Sequence, residues 1–354
     1  MNDNTTPPPE VHALARERAL ARRDHDWARA DALKERIEGA GWKVIDSGSH
    51  FTLVPATPPT VEVDGAVRYG HASAVPSVLG DAPDRTFTVV VVADYRPAAV
   101  ARLLAALRAH APAGTQVVVV ADAASAEQVA RLAPGSVDVE PVAGEAPEVV
   151  WTSERLGVAA ALNAGLRRAR GSIVVFADGS VEPVGDALTP LAAALADEGV
   201  AVAGPLGYAT RDLRTFDEVD GPEAAVIGLG WLAFRRADAI ALGPGPLDEK
   251  FSHPSGLGTW WSLVLRDGTG RADGHGDANG DEGDGAHGDG PESDEATAPC
   301  AARRVALPVT VHDLEAEAVD GDRAAGERAD RLAKRNHYRI LDRFRGRADL
   351  LSGS

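Results

Sequence analysis

The stretch GVAAALNAGLRRARGSIVVFADGSVEP, residues 157–183, decides the fold. Its first half reads as a helix over 157–171, stopped by Gly171. Ile173 to Phe176 then form a short apolar run of strand length, suited to burial on both faces. The run ends in a turn made by Asp178, Gly179 and Ser180 and closes on Pro183. Helix, buried strand and carboxylate-bearing turn follow one another without spare residues.

The same rhythm extends upstream. TFTVVVVAD (86–94) is a continuous β-branched run, and AAVARLLAALRAHA (98–111) follows with Val100, Leu103, Leu104 and Leu107 at helical spacing. TQVVVVAD (115–122) is a second strand, and SAEQVARLA (125–133) a second helix with Ser125 as N-cap. Alternation of this kind predicts an α/β fold, a mostly parallel sheet with helices on both faces. Ligands of such sheets bind beyond the carboxyl ends of the strands. Three predicted strands end on an aspartate, Asp94, Asp122 and Asp178. One such aspartate is an ordinary turn residue; three on one predicted edge point to a site.

Around this centre the chain divides into a polar tail (1–9), a helical hairpin with a strand (10–54), and a Pro- and Gly-punctuated linker (55–84). The α/β region (85–267), a low-complexity acidic insertion (268–302) and a C-terminal strand and helix (303–354) follow. The 354 residues carry a net charge of −17, of which −9 falls within residues 267–296. That insertion has too few apolar side chains to form a core and is expected to be disordered. Its Asp277, Asn279 and Asp281 imitate the start of a calcium loop, but Glu282 and Gly288 stand where Gly and Glu are needed. The acidity excludes general nucleic-acid binding, which needs clustered Lys and Arg. A single cysteine, Cys300, excludes an internal disulfide framework and a Cys-rich zinc site. With no apolar run of membrane-spanning length and no signal-like N-terminus, a soluble cytoplasmic protein is expected.

On Gly157, Asn163, Gly165, Gly171, the apolar strand, the Asp178 loop and Pro183, the region from about 86 to 267 resembles family 2 glycosyltransferases of the GT-A fold. The resemblance implies a nucleotide-sugar donor, bound by Asp94, Asp122, Gly157, Asn163, Asp178 and Ser180, with Asp122 at the nucleotide base. It implies an inverting transfer to a glycan or lipid-linked acceptor. It also implies a divalent cation, Mn or Mg, at Asp178, with His312 as a later ligand.

The sequence departs from the family pattern twice. Ser180 replaces the second carboxylate of the Asp-x-Asp pair, and Gly258 falls where the catalytic base is expected. Asp248 or Glu249, in the Leu247–Glu249 element, is the substitute base. Trp260 and Trp261, in TWWSLVLRDG, suit stacking on an acceptor sugar, although adjacent helical residues face differently. The same departures suit a second reading, a catalytically silent relative that binds a nucleotide or sugar, or a scaffold.

Residues 21–54, with Asp26-Trp27, Ala30-Asp31, Leu33, Arg36, Gly41 and Val44 to Asp46, resemble the C-terminal element of cysteinyl-tRNA synthetases. The rest of a synthetase is missing, so the unit is either an RNA or partner contact or a hairpin packed on the main domain. The tail 327–351 places Leu332, Tyr338, Leu341 and Phe344 near one face, among arginines. It either lies on an anionic membrane at the inner face or packs on the sheet.

Overall fold

The computed structural model describes residues 7–47, 50–93, 96–269, 300–312 and 323–351. Asp94 and the calcium-like window of the acidic insertion lie outside these residues.

The N-terminal unit consists of α1 (Pro9–Arg23), α2 (Trp27–Gly39) and the hairpin β1 (Trp42–Ser47) and β2 (His50–Pro55). Asp26 caps α2, its side chain accepting from the Arg29 N–H at 3.1 Å. Val11, Ala15, Ile37 and Trp42 form a small core of their own. Arg18 and Arg22 both pair with Asp46 on β1, which fastens α1 to the hairpin. The Arg18 hydrogen bond holds the Asp46 carboxyl below the usual aspartate value.

The expected linker adds structure to the main sheet. β3 (Val61–Val63) and β4 (Ala66–Tyr69) form a hairpin, and β4 runs parallel to β7 (Glu148–Thr152). Between β4 and β7 come β5 (Arg85–Ala93), α3 (Pro97–His110), β6 (Thr115–Ala121) and α4 (Ala126–Arg131). Next are α5 (Val158–Leu166), β8 (Gly171–Ala177), β9 (Val181–Pro183), α6 (Thr189–Leu195) and β10 (Val200–Gly204). The short strands β11 (Gly207–Ala209), β12 (Asp217–Glu218), β13 (Glu223–Ala224) and β14 (Val226–Ile227) precede β15 (Trp231–Arg235) and α7 (Arg236–Ala241). Then follow α8 (Leu257–Thr269), β16 (Ala301–Arg304), β17 (Val309–Val311) and α9 (Arg323–Phe344).

Among the described residues ten strands form one sheet in the order β13-β16-β10-β15-β8-β5-β6-β7-β4-β3. From β8 to β4 all neighbours are parallel, whereas β15 runs antiparallel to both β8 and β10. The continuous apolar strands are buried on both faces. Val89 and Val91 of β5 face α3 and α6, while Val90 faces α5 and α8. α5 is shorter than the predicted helix, and Gly171 opens β8 rather than stopping the helix. Just past the helix end the side chains of Arg167, Arg168 and Arg170 bind the Val75 carbonyl, Glu148 and Glu145.

α9 packs inward. Ile340, Leu341 and Phe344 are buried, so of the two placements expected for this helix, on a membrane or packed on the protein, the apolar stripe takes the second. Tyr338 alone of the four predicted apolar positions is largely exposed. Arg266 of α8 donates to the carbonyls of Ala225, Cys300 and Leu350, and burial pulls its pKa down to about 10. No described helix is long and apolar enough to cross a membrane.

Candidate functional site

The chain adds β6 and β7 on one side of β5, then returns to place β8 on the other side. The crevice beyond the carboxyl ends of β5 and β8 is therefore a topological switch point, where open α/β sheets leave room for ligands. A cleft of about 100 Å³ lies there. Val92 of β5 and Phe176, Ala177, Asp178 and Gly179 of β8 and its turn line the cleft. Arg96, Ala99 and Val100 from the start of α3, Val158 and Leu162 from α5, and Leu229 and Pro254 complete it. Among the described lining residues Asp178 is the one carboxylate and Arg96 the one cation.

The Asp178 turn is held from several directions. Asp178 Oδ1 accepts from the Ser180 N–H at 2.8 Å and from the Ser180 hydroxyl. Arg102 of α3 donates to the Gly179 carbonyl at 3.1 Å. β17 pairs with β9 and carries His312 alongside, so that the His312 N–H donates to the Ser180 carbonyl at 2.7 Å. The His312 ring bonds Glu182 through Nε2 at 2.7 Å, and Arg102 lies 3.5 Å from the same carboxylate oxygen. Sequence reading missed Arg96, Arg102 and Glu182, although Glu182 lies within the stretch that decided the fold.

These bonds bear on the expected cation. His312 reaches the Asp178 turn through its backbone, while its imidazole Nε2 is engaged by Glu182. Ser180 turns its hydroxyl onto Asp178 rather than outward. Among the described residues no three His, Cys, Asp or Glu side chains converge to hold a metal. Among the described residues the donor set at the Asp178 turn does not supply the several oxygen or nitrogen ligands that a divalent cation needs.

The remaining predicted site residues join elements together. Asp122 stands at the end of β6, 5% exposed. Its Oδ1 accepts from the Leu156 N–H at 2.7 Å and its Oδ2 from the Gly157 N–H at 3.1 Å. Both oxygens are thus engaged in fixing the entry to α5. Gly157 adopts φ +90°, and a Cβ there would meet Ser252 Cα at 2.9 Å. Asn163, 1% exposed, donates to the Leu247 carbonyl at 3.0 Å and to Glu249 at 3.1 Å, and accepts from the Leu247 N–H. Glu249 is therefore tied to α5. Asp248 accepts from the Lys250 N–H, and its other oxygen lies 3.7 Å from Arg339 of α9.

The tryptophans are core residues, which corrects their expected acceptor role. Trp261 packs against Phe176 and Phe234 under the sheet, and Trp260 against Phe251 and Phe344. Helix α8 is covered on both sides, by the sheet and by α9, so neither ring is open to a sugar. Position 258 is equally closed: a Cβ there would meet Leu229 N at 2.6 Å and Ile227 O at 2.8 Å.

Comparison with known proteins assigns two segments. Residues 88–230 match glycosyl transferase family 2. The matched segment includes β5, β6, β8 and the Asp178 turn, and stops before Asp248 and α9. Residues 6–51 match the cysteinyl-tRNA ligase anticodon binding domain. There the chain is 45% identical over 49 residues to a cysteine–tRNA ligase of Opitutus terrae, covering 14% of this chain and 11% of the ligase.

Solved structures resembling the chain include GalNAc-T7 with UDP, GalNAc and Mn2+, at 15% identity and a TM-score of 0.42. That match covers 51% of this chain and 40% of the other. The mannosyltransferase PcManGT from Pyrobaculum calidifontis, in complex with GDP-Man and Mn2+, is 22% identical with a TM-score of 0.39, covering 54% and 55%. TarS residues 1–349 of S. aureus are 16% identical with a TM-score of 0.39, covering 51% and 55%. The chain thus spans about half of these structures or less.

Proposed function

We propose that the chain is a glycosyltransferase that transfers a sugar from a nucleoside-diphosphate sugar to a glycan or lipid-linked acceptor with inversion. The observation that supports this reading is the cleft at the β5/β8 switch point, with Asp178 and Arg96 among its lining residues, inside the family 2 segment. Arg96 would face the diphosphate, and Asp178 would accept hydrogen bonds from donor hydroxyls. In the transfer, the bond from the anomeric carbon to the diphosphate oxygen breaks while the acceptor oxygen bonds the opposite face. A carboxylate takes the acceptor proton. Asp248 is the proposed proton acceptor, because Glu249 is bound by Asn163 whereas Asp248 keeps a side chain 26% exposed. Asp122, Gly157 and Asn163 would act through the backbone they hold. No step is assigned to a divalent cation, since the described residues do not form its site.

A second reading, a silent binder of nucleotide sugars, is favoured by position 258, where a carboxylate has no room. One experiment separates the two. Panels of UDP-, GDP-, CDP- and ADP-sugars are titrated calorimetrically, and nucleoside-diphosphate release is followed for wild type and Asp178→Ala. The transferase reading expects binding with release, binding weakened and release lowered in Asp178→Ala. Binding without release in the presence of glycan and lipid-linked acceptors supports the silent binder, and no binding of any donor sinks both.

A further inference from the structure

We propose that α9, which lies outside the family 2 match, positions the cleft wall formed by residues 247–257, with Asn336 and Arg339 as its positioning residues. Where it concerns turnover, this rests on the glycosyltransferase reading. The wall itself is a matter of geometry.

Pro254 is the residue of this wall that lines the cleft. A proline has no N–H to donate; the Pro254 carbonyl accepts from the Leu257 N–H at 3.0 Å, and the carbonyls on either side of it are held by α9. Asn336 supplies the donors. Its side-chain amide, in a residue 1% exposed, donates to the His253 carbonyl at 3.0 Å and to the Ser255 carbonyl at 2.9 Å. One buried amide thus grips the chain on both sides of Pro254. A hydrophobic packing helix has no need of such a group, and an unpaired buried amide is costly.

Four further contacts fix the helix that carries this amide. Arg339, one turn along from Asn336, lies 3.7 Å from the Asp248 carboxylate. Ile340 packs against Gly256. Arg343 stacks over Trp260 at 5.0 Å, and the buried Phe344 meets the same ring.

The opposite side of the wall is held by α5. The Ala159 and Val158 N–H groups donate to the carbonyls of Phe251 and Ser252, and Asn163 binds Leu247. The segment is therefore gripped between two helices. α5 belongs to the family 2 segment and contributes Val158 and Leu162 to the cleft; α9 comes from the far end of the chain. A shift of α9 would carry Pro254 and Asp248 relative to Asp178, and small displacements of reacting groups cost large factors in rate.

The test uses the full chain with Asn336→Asp, Asn336→Ala, Arg339→Gln, Arg339→Lys and, as a control, Tyr338→Ala on the exposed face of α9. Hydrogen exchange reads the wall without reference to activity. Both Asn336 variants are expected to speed exchange across 248–257 by about tenfold or more, with β5 and β8 and the Tyr338→Ala protein unchanged. Unchanged exchange across 248–257, or equal loosening of β5 and β8, overturns the clamp.

Nucleoside-diphosphate release then reads turnover, using whichever donor wild type consumes. Asn336→Asp and Arg339→Gln are expected to lower kcat by about tenfold with donor KM little changed, and Arg339→Lys to restore most of it. Raised exchange with unchanged kcat overturns the positioning role. Should wild type consume no donor, the glycosyltransferase reading fails, and exchange alone decides the clamp.

Discussion

One oxygen of Asp178 accepts both the backbone N–H and the hydroxyl of Ser180, so the residue that replaces a second acidic ligand instead orients the first. The two positions therefore differ in weight. Asp178→Ala removes the carboxylate from the cleft lining and is expected to weaken nucleotide-sugar binding by about tenfold or more, equivalent to about 1.4 kcal/mol. Ser180→Ala keeps the 2.8 Å backbone bond and is expected to weaken binding by no more than about threefold. Titration calorimetry on the two variants checks the order, and an equal loss in both contradicts it.

Restoring an acid at position 258 will not restore a base. The Cβ of Gly258→Asp would stand 2.6 Å from the Leu229 nitrogen and 2.8 Å from the Ile227 oxygen, both backbone atoms. Relief requires α8 to move from the β14 edge. The expected cost is about 1–3 kcal/mol or more, with no gain in nucleoside-diphosphate release. Urea unfolding together with a release assay checks this, and a stable, faster variant is the contrary result.

Asn163 carries a structural load that its resemblance-based role does not describe. Asn163→Ala leaves the N–H and the carbonyl of Leu247, a buried residue, without their partner and frees Glu249. A loss of about 2 kcal/mol in unfolding free energy is expected, since unsatisfied buried polar groups cost about 1–3 kcal/mol each. A denaturant midpoint equal to that of wild type would show that the amide is dispensable.

The parts of the fold legible in the sequence are those whose pattern is local. β5, β6 and β8 were visible because strands covered on both faces are unbroken β-branched runs. The β3–β4 hairpin was not recognised, although VEVDGAVRY (61–69) carries the Asp-Gly signal of a tight hairpin turn. Asp64 and Gly65 indeed both have positive φ, 53° and 76°. Near the cleft, the turn at Asp178 and the short strand before His312 were legible, because both are local patterns. Their partners were not. Glu182, Arg102, Asn336 and Arg339 matter through tertiary contacts that no spacing records. For the same reason the Trp260–Trp261 pair looked available. A helix buried on both sides has no free face, and that depends on α9 at the far end of the chain.

The N-terminal unit is not expected to bind RNA electrostatically, whatever its kinship. Residues 8–55 hold eight Asp or Glu and eight Lys or Arg, and two of the arginines, Arg18 and Arg22, are turned onto Asp46. Phosphate binding depends on an excess of cations. No mobility shift of tRNA is expected at about 0.15 M salt, where the Debye length is about 8 Å. A salt-sensitive shift with the full chain, abolished by reversing Arg23 and Arg29, would show otherwise.

The Arg18–Asp46 bridge gives this unit a defined pH response. The Arg18 hydrogen bond, the largest influence, lowers the folded-state pKa of Asp46 from its ordinary 3.8, with the Arg18 and Arg22 charges acting in the same sense. A depressed carboxylate pKa contributes stability above the unfolded value and loses it as pH falls through the folded value. Asp46→Asn should therefore destabilise α1 against β1 at neutral pH by about 0.5–1 kcal/mol, the range for partly exposed ion pairs. Below the folded pKa the Asp46 carboxyl of wild type is neutral, as the Asn amide is at every pH, and the difference between the two proteins should vanish. Amide exchange across β1 and β2, compared between wild type and Asp46→Asn from neutral to acid pH, measures this. A difference that persists or widens in acid would mean that shape, not charge, fastens the hairpin.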